Sequence, residues 1–116
     1  EWSIEKIKNA ALKFENENGR KAKVACMGLA FKPDIDDLRE SPAVYITKSL
    51  IAQGLDVLAV EPNIKSHKNF EIINFETAIN GADIIVFLVA HKEFKGIKIF
   101  GKEVIDFCGV LNWYLK

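Results

Sequence analysis

The stretch Gly28-Leu29-Ala30-Phe31-Lys32-Pro33-Asp34-Ile35-Asp36-Asp37-Leu38-Arg39-Glu40-Ser41-Pro42 is the chemically richest in the sequence. It joins a glycine turn, an aromatic, a lysine, an acidic pair and one of the chain's two arginines, Arg20 and Arg39. Lys32 and Arg39 can each make charge-assisted hydrogen bonds to an anionic group, and the planar fork of arginine suits a phosphate better than an ammonium does. The stretch ends on Ser41-Pro42, a helix start whose free N–H groups and dipole also favour an anion. From residue types alone two readings stay open: an anion-binding loop at a helix start, and, as for most loops of this kind, a backbone-turn glycine followed by solvated aspartates. Asp36, Asp37 and Glu40 read as loop organisers, either as acids near the helix start or as partners that hold Arg39.

Other chemistries find less support. Gly28 lacks the second and third glycines of G-x-G-x-x-G, the loop is too long for a tight strand-to-helix turn, and the pattern is not a P-loop. Glu61 stands where a dinucleotide-binding sheet places its ribose acid, but without that glycine pattern it reads as a turn former. His67 and His91 have no paired Cys, His or carboxylate at metal-ligand spacing, so no metal site is expected. His91, just past a strand end, reads as making a surface hydrogen bond. Cys26 reads as a small buried hydrophobe, and Cys108 lies near a strand end in IDFCGV.

The elements that must position these residues follow from periodicity. Ile4, Ile7, Ala11 and Phe14 recur at spacings of three and four among charged residues, which predicts an amphipathic helix stopped by Gly19. Lys23 to Met27 is a short apolar strand running into Gly28, without the polar alternation of a half-exposed strand. Ser41-Pro42 starts a helix expected to reach Gln53, with Gly54 just past its end. Asp56 to Val60 predicts a strand broken by Glu61-Pro62-Asn63, and Asn74 caps a short helix, Phe75 to Asn80, closed by Gly81. Ile84 to Ala90 predicts the most apolar strand, Lys95 to Lys102 a loop, and Glu103 to Asp106 a last strand.

Strands that alternate with helices and are buried on both faces imply an α/β fold: a three-layer, Rossmann-like domain with a mainly parallel sheet, here preceded by a helix. In such sheets ligands bind outside the carboxyl ends of the strands, which is where the loop after Met27 falls. The 116 residues, 49% of them apolar, suffice for one core without disulfide or metal staples. Sixteen basic residues balance sixteen acidic ones, so the long-range field of a nucleic-acid or anionic-membrane binder is missing. No apolar stretch approaches the ~18 residues of a transmembrane helix, and two cysteines suit a reducing, cytoplasmic compartment. The chain is read as a fragment, since it opens on Glu1-Trp2 without an initiator Met.

The string GLAFKPDIDDLRESPA resembles the signature of the C-terminal UDP-binding domain of the UDP-glucose/GDP-mannose dehydrogenase family. GLDVLAVEP (Gly54–Pro62) and INGADIIVFLVA (Ile79–Ala90) resemble that family's next strand units, and the opening helix its central helix. The FKPDIDDLRESP loop and Ala90-His91-Lys92-Glu93-Phe94 most resemble the UDP-N-acetyl-D-mannosamine dehydrogenase branch. The resemblance implies an NAD-dependent, two-step oxidation of a UDP-sugar C6 alcohol to a carboxylate, through thiohemiacetal and thioester on a cysteine of another domain. It implies that residues 1–20 end an interdomain helix and residues 21–116 form the UDP-sugar-binding domain. Phe31 and Lys32 match residues that contact the UDP-sugar. Arg39 matches one that reaches NAD on a neighbouring subunit, in a homo-oligomer whose main NAD site lies in the other domain. Relatives often carry a basic residue where Cys108 stands, so that contact is in doubt here. The oligomeric state of the chain stays open, because an interdomain helix taken from its partner domain leaves the apolar face from Ile4 to Phe14 either exposed or free to self-associate. Competing readings are a UDP-glucose 6-dehydrogenase domain, a non-catalytic assembly module and a receiver-like regulatory domain. The last is disfavoured, because Asp36 and Asp37 lie too far past the first strand and Ala90 rather than an aspartate ends the third.

Overall fold

The computed structural model describes residues 2–30, 41–62, 71–97 and 99–109. The elements run α1 (Trp2–Asn18), β1 (Lys23–Met27), α2 (Pro42–Ala52), β2 (Asp56–Val60), α3 (Phe75–Gly81), β3 (Ile84–Phe87), a 3₁₀ turn (Lys92–Phe94) and β4 (Glu103–Asp106). The four strands form one parallel sheet in the order β2-β1-β3-β4. β1 is central, with Met27 opposite both Val60 and Phe87. The carboxyl ends of β1, β2 and β3 are thus side by side.

Strands covered on both faces need apolar residues on both, and β1 and β3 supply them without alternation. Val24, Cys26, Ile84 and Val86 face a core shared with α1 and α2, through Ile4, Ile7, Ala10, Ile46 and Leu50. Ala25, Met27, Ile85 and Phe87 face a second core with Ala78, Ala82 and Phe94. The expected three-layer α/β architecture is present. Strand β3 stops at Phe87, three residues short of its expected end at Ala90. The Leu88 N–H continues the ladder to the Met27 carbonyl at 2.9 Å, but the Val89 N–H turns to that same carbonyl at 3.4 Å, away from β4.

The apolar face of α1 finds its cover within the chain: Ile4, Ile7 and Ala10 are buried against this chain's own sheet, and Ala11 and Phe14 pack against the same core. The end of α1 is tied down as well. Arg20 donates two hydrogen bonds of 2.8 Å to Asp83 at the start of β3, and the Lys23 N–H donates to the same carboxyl at 2.9 Å. Arg20 also lies over the Phe14 ring, 4.8 Å from its centroid.

Helix α2 begins as expected. Pro42 occupies the first turn, and Ser41 Oγ accepts from the N–H groups of Ala43 and Val44. Asn74 caps α3 in the same way, accepting from Glu76 and Thr77. Helix α3 includes Gly81 rather than ending before it, because the Ala82 N–H still bonds to the Ala78 carbonyl.

The Arg20 guanidinium bound to Asp83 holds this carboxyl below the usual carboxylate range. Burial opposes the shift, and the Lys23 N–H and the charges of Arg20 and Lys102 reinforce it. A carboxyl with a lowered folded pKa contributes stability that is present above its unfolded value of about 3.9 and lost as pH falls through the folded value. Asp83→Asn is therefore expected to lower the melting temperature at pH 7. It should also flatten the loss of stability below pH ~4, as followed by circular dichroism melts.

Candidate functional site

Strand β1 ends in a turn that only glycine fits. Gly28 has φ +99°, and a Cβ built there would stand 2.7 Å from Val89 Cβ and 3.1 Å from Val89 N. Its N–H donates to the Val60 carbonyl at 2.8 Å. The chain leaving β1 is thereby pressed between the ends of β2 and β3.

The next two residues are held by a buried carboxyl. Oε1 of Glu61, one residue past β2, accepts from the N–H of Leu29 at 2.9 Å and of Ala30 at 3.0 Å. His91 Nε2 lies 2.8 Å from the same oxygen, and the tautomer with its proton on Nε2 makes it a third donor. All four residues are essentially inaccessible: Leu29, Glu61 and His91 are 0–1% exposed and Ala30 is 1%. A buried polar group is tolerated only when it is paired, and here each supplies the others' partner. The His91 ring is seated edge-on against Phe94, with centroids 5.7 Å apart, and Phe94 in turn packs edge-on to Phe87 and Phe75.

Two expectations are overturned here. Glu61 is not simply a turn former, and His91 does not make a surface hydrogen bond. Both lie inside the protein at the junction of three strand ends. The signal for this was thin: an acid directly after the apolar run Val57 to Val60, and a histidine directly after Ile84 to Ala90. The pattern of one sequence does not tell a solvated turn from a polar group drawn into the core by backbone donors 30 residues away.

Ser41 completes the arrangement from the other side. Besides capping α2, its Oγ donates to the Ala30 carbonyl at 3.3 Å, and the residue is 3% exposed. Phe31, Lys32 and Arg39, the expected ligand residues, lie outside the described residues, as do Asp36, Asp37, Glu40 and His67. What the fold does place is the pair of flanks, Ala30 and Ser41, at the carboxyl edge of the sheet.

Beside this junction is a cavity of about 440 Å³ at the end of β2, lined by Val60, Glu61, Pro62, Ile73, Phe75 and Glu93, among others. Glu93 Oε1 is buried there with no hydrogen-bond partner among the described residues, so a ligand O–H or N–H would meet an acceptor. Cys26 faces the core shared with α1 and α2, on the other side of the sheet from Met27 and Val60. Burial pushes its thiol up to about 12, partly offset by a hydrogen bond with Thr47, and a thiol so perturbed is not a nucleophile. Cys108 is half-buried beyond β4, where Asp106 Oδ1 accepts from its N–H at 3.2 Å and from Gly109 N–H at 2.8 Å. Among the described residues, no group of three or more His, Cys, Asp or Glu could hold a metal ion, and no helix is long and apolar enough to cross a membrane.

The described residues show no dinucleotide-binding turn: Gly28 is packed against Val89, and one oxygen of the Glu61 carboxyl is engaged by Leu29, Ala30 and His91.

Residues 25–112 match the model of the UDP-glucose/GDP-mannose dehydrogenase family, UDP binding domain. The chain is 45% identical over 94 residues to UDP-N-acetyl-D-mannosamine dehydrogenase of Campylobacter jejuni, covering 74% of this chain and 23% of that protein. It is 40% identical over 123 residues to NDP-N-acetyl-D-galactosaminuronic acid dehydrogenase of Ralstonia solanacearum, covering 99% and 27%. Its fold matches UDP-N-acetyl-mannosamine dehydrogenase from Staphylococcus aureus with a TM-score of 0.72 at 27% identity, over 94% of this chain and 26% of that one. The chain belongs to the UDP-glucose/GDP-mannose dehydrogenase family, as its UDP-binding domain. It spans about a quarter of the length of these relatives.

Gly28→Ala forces an L-residue into the left-handed region and a methyl into Val89. It is expected to cost about 3 kcal/mol or more, from backbone strain plus overpacking. Urea unfolding of the variant beside the unmutated chain checks this.

Proposed function

We propose that this chain is the UDP-sugar-binding part of an NAD-dependent UDP-sugar 6-dehydrogenase that oxidises UDP-N-acetyl-D-mannosamine to the corresponding uronate. The observation that carries the reading is the junction around Glu61. It fixes the start of the family's signature string at the carboxyl edge of a parallel sheet, where ligands of such sheets bind. The substrate choice is supported by the Campylobacter relative and by the AHKEF and FKPDIDDLRESP forms. The Ralstonia relative, named for an N-acetylgalactosaminuronic acid, keeps a second 2-acetamido sugar in play.

In this reading residues 1–20 end an interdomain helix and residues 21–116 hold the UDP-sugar. Phe31 packs against the nucleotide or sugar and Lys32 pairs with an anionic oxygen. Arg39 reaches toward NAD held by a neighbouring subunit, which presupposes a homo-oligomer. NAD, when bound, accepts the electrons of the oxidation, and its main site belongs to another domain. The same holds for the catalytic thiol, because Cys26 is buried with its pKa pushed up to about 12 and Cys108 lacks a glycine-rich setting. The chain alone is thus a binding half-site without turnover, and a content of only two cysteines suits a cytoplasmic setting.

Isothermal titration with UDP, UDP-N-acetylmannosamine, UDP-glucose and NAD tests the reading. Expected are binding of UDP and UDP-sugars but not of NAD, at least tenfold weaker UDP binding in Lys32→Ala, and UDP affinity within about twofold in Arg39→Ala. No UDP binding, or a Lys32→Ala variant that binds as well as the unmutated chain, would overturn it.

A further inference from the structure

We propose that Glu61 and His91 are positioning residues for ligand binding: they act through the backbone of Leu29 and Ala30 to set where the chain departs toward Lys32. Three observations converge. First, one oxygen, Glu61 Oε1, collects the N–H groups of two successive residues, Leu29 and Ala30, together with His91 Nε2, all within 2.8–3.0 Å. Two successive amides aimed at one acceptor fix the peptide planes on either side of Leu29. Second, the same Ala30 is held at its carbonyl by Ser41 Oγ, so both polar groups of its backbone are engaged. Ser41 is in turn fixed as the cap of α2, so the two flanks of residues 31–40 are set relative to each other. Third, the device is built into the core. Glu61 and His91 are 1% and 0% exposed, and the His91 ring is braced by Phe94, itself fully buried.

A buried acid and histidine are costly to maintain for packing alone, since apolar residues of similar volume would serve the core as well. What apolar residues cannot do is satisfy the Leu29 and Ala30 amides at this distance from β1. The pair therefore acts on ligand through the backbone, without touching it. Gln at position 61 keeps a carbonyl oxygen in place as acceptor. Leu at position 61 keeps the volume and removes the acceptor. Phe at position 91 keeps a ring against Phe94 and removes one donor.

The link from this device to ligand affinity rests on the UDP reading above, whereas its effect on the Leu29 and Ala30 amides does not. The test therefore uses two readouts on the full chain: amide hydrogen exchange by NMR, and UDP affinity by titration. The quantity followed in the first is the exchange rate of Leu29 and Ala30 divided by that of Ala25 and Cys26 within β1. A change in global stability moves both sets together and leaves the ratio alone. Glu61→Leu is expected to raise the ratio at least tenfold and weaken UDP binding at least tenfold. Glu61→Gln is expected to restore both to within about threefold of the unmutated chain, and His91→Phe to fall between. Should Glu61→Leu fail to fold, Glu61→Gln against His91→Phe carries the same comparison. An unchanged ratio in the acceptor-deleting variant, or a raised ratio with unchanged UDP affinity, overturns the proposal. If the unmutated chain binds no UDP, the functional reading fails and the exchange ratio alone decides whether the pair positions the backbone.

Discussion

One carboxyl oxygen holds the functional edge of this domain together. Glu61 Oε1 binds the backbone leaving β1 and a histidine that follows β3, while Glu61 itself directly follows β2. Three neighbouring strands of a parallel sheet converge on that atom, and it is sealed from water. In a low-dielectric interior such a group is stable only with its partners in place, so the geometry of each strand end depends on the other two. Gly28 belongs to the same constraint. Its positive φ and missing side chain allow the chain to pass within contact of Val89 and deliver Leu29 and Ala30 to the carboxyl. The aromatic cluster of Phe75, Phe87 and Phe94 supplies the rigid floor beneath His91.

The opposite edge of the sheet is built on a different principle. There Arg20, Asp83 and the Lys23 amide join α1 to the amino ends of β1 and β3 in a largely exposed network. Exposed ion pairs contribute modestly and are screened by salt. The helix α1 is therefore secured mainly by the burial of Ile4, Ile7 and Ala10, with the ion pair fixing where the helix ends. One edge of the domain is polar and buried, the other polar and wet. The contrast separates the edge proposed to receive a ligand from the edge that anchors α1.

Much of this was legible from residue order. The unbroken apolar character of Lys23 to Met27 and Ile84 onward implied a two-sided parallel sheet, and Ser41-Pro42 and Asn74 marked two helix starts correctly. The signature GLAFKPDIDDLRESPA indicated the family. Local rules work at these places because the deciding interactions, such as caps and strand periodicity, lie within a few residues. They fail at Glu61 and His91, whose partners are about 30 residues away. They fail again at the end of β3, where Leu88 and Val89 remain apolar but the Val89 N–H turns to the Met27 carbonyl, away from β4. The candidate ligand residues Phe31, Lys32 and Arg39 rest on resemblance, while the fold accounts for the two flanks that carry them.

The central claim is that a UDP-sugar is received at the carboxyl edge organised by Glu61, in a domain that supplies binding while catalysis belongs elsewhere. Mapping UDP onto the isotopically labelled chain by amide chemical shifts addresses it most directly. The account predicts saturable shifts concentrated at Leu29, Ala30, Lys32 and Ser41, with Lys23, Asp83 and Glu103 at the far edge unmoved. Shifts centred on that far edge, or no saturable shift anywhere, would contradict it.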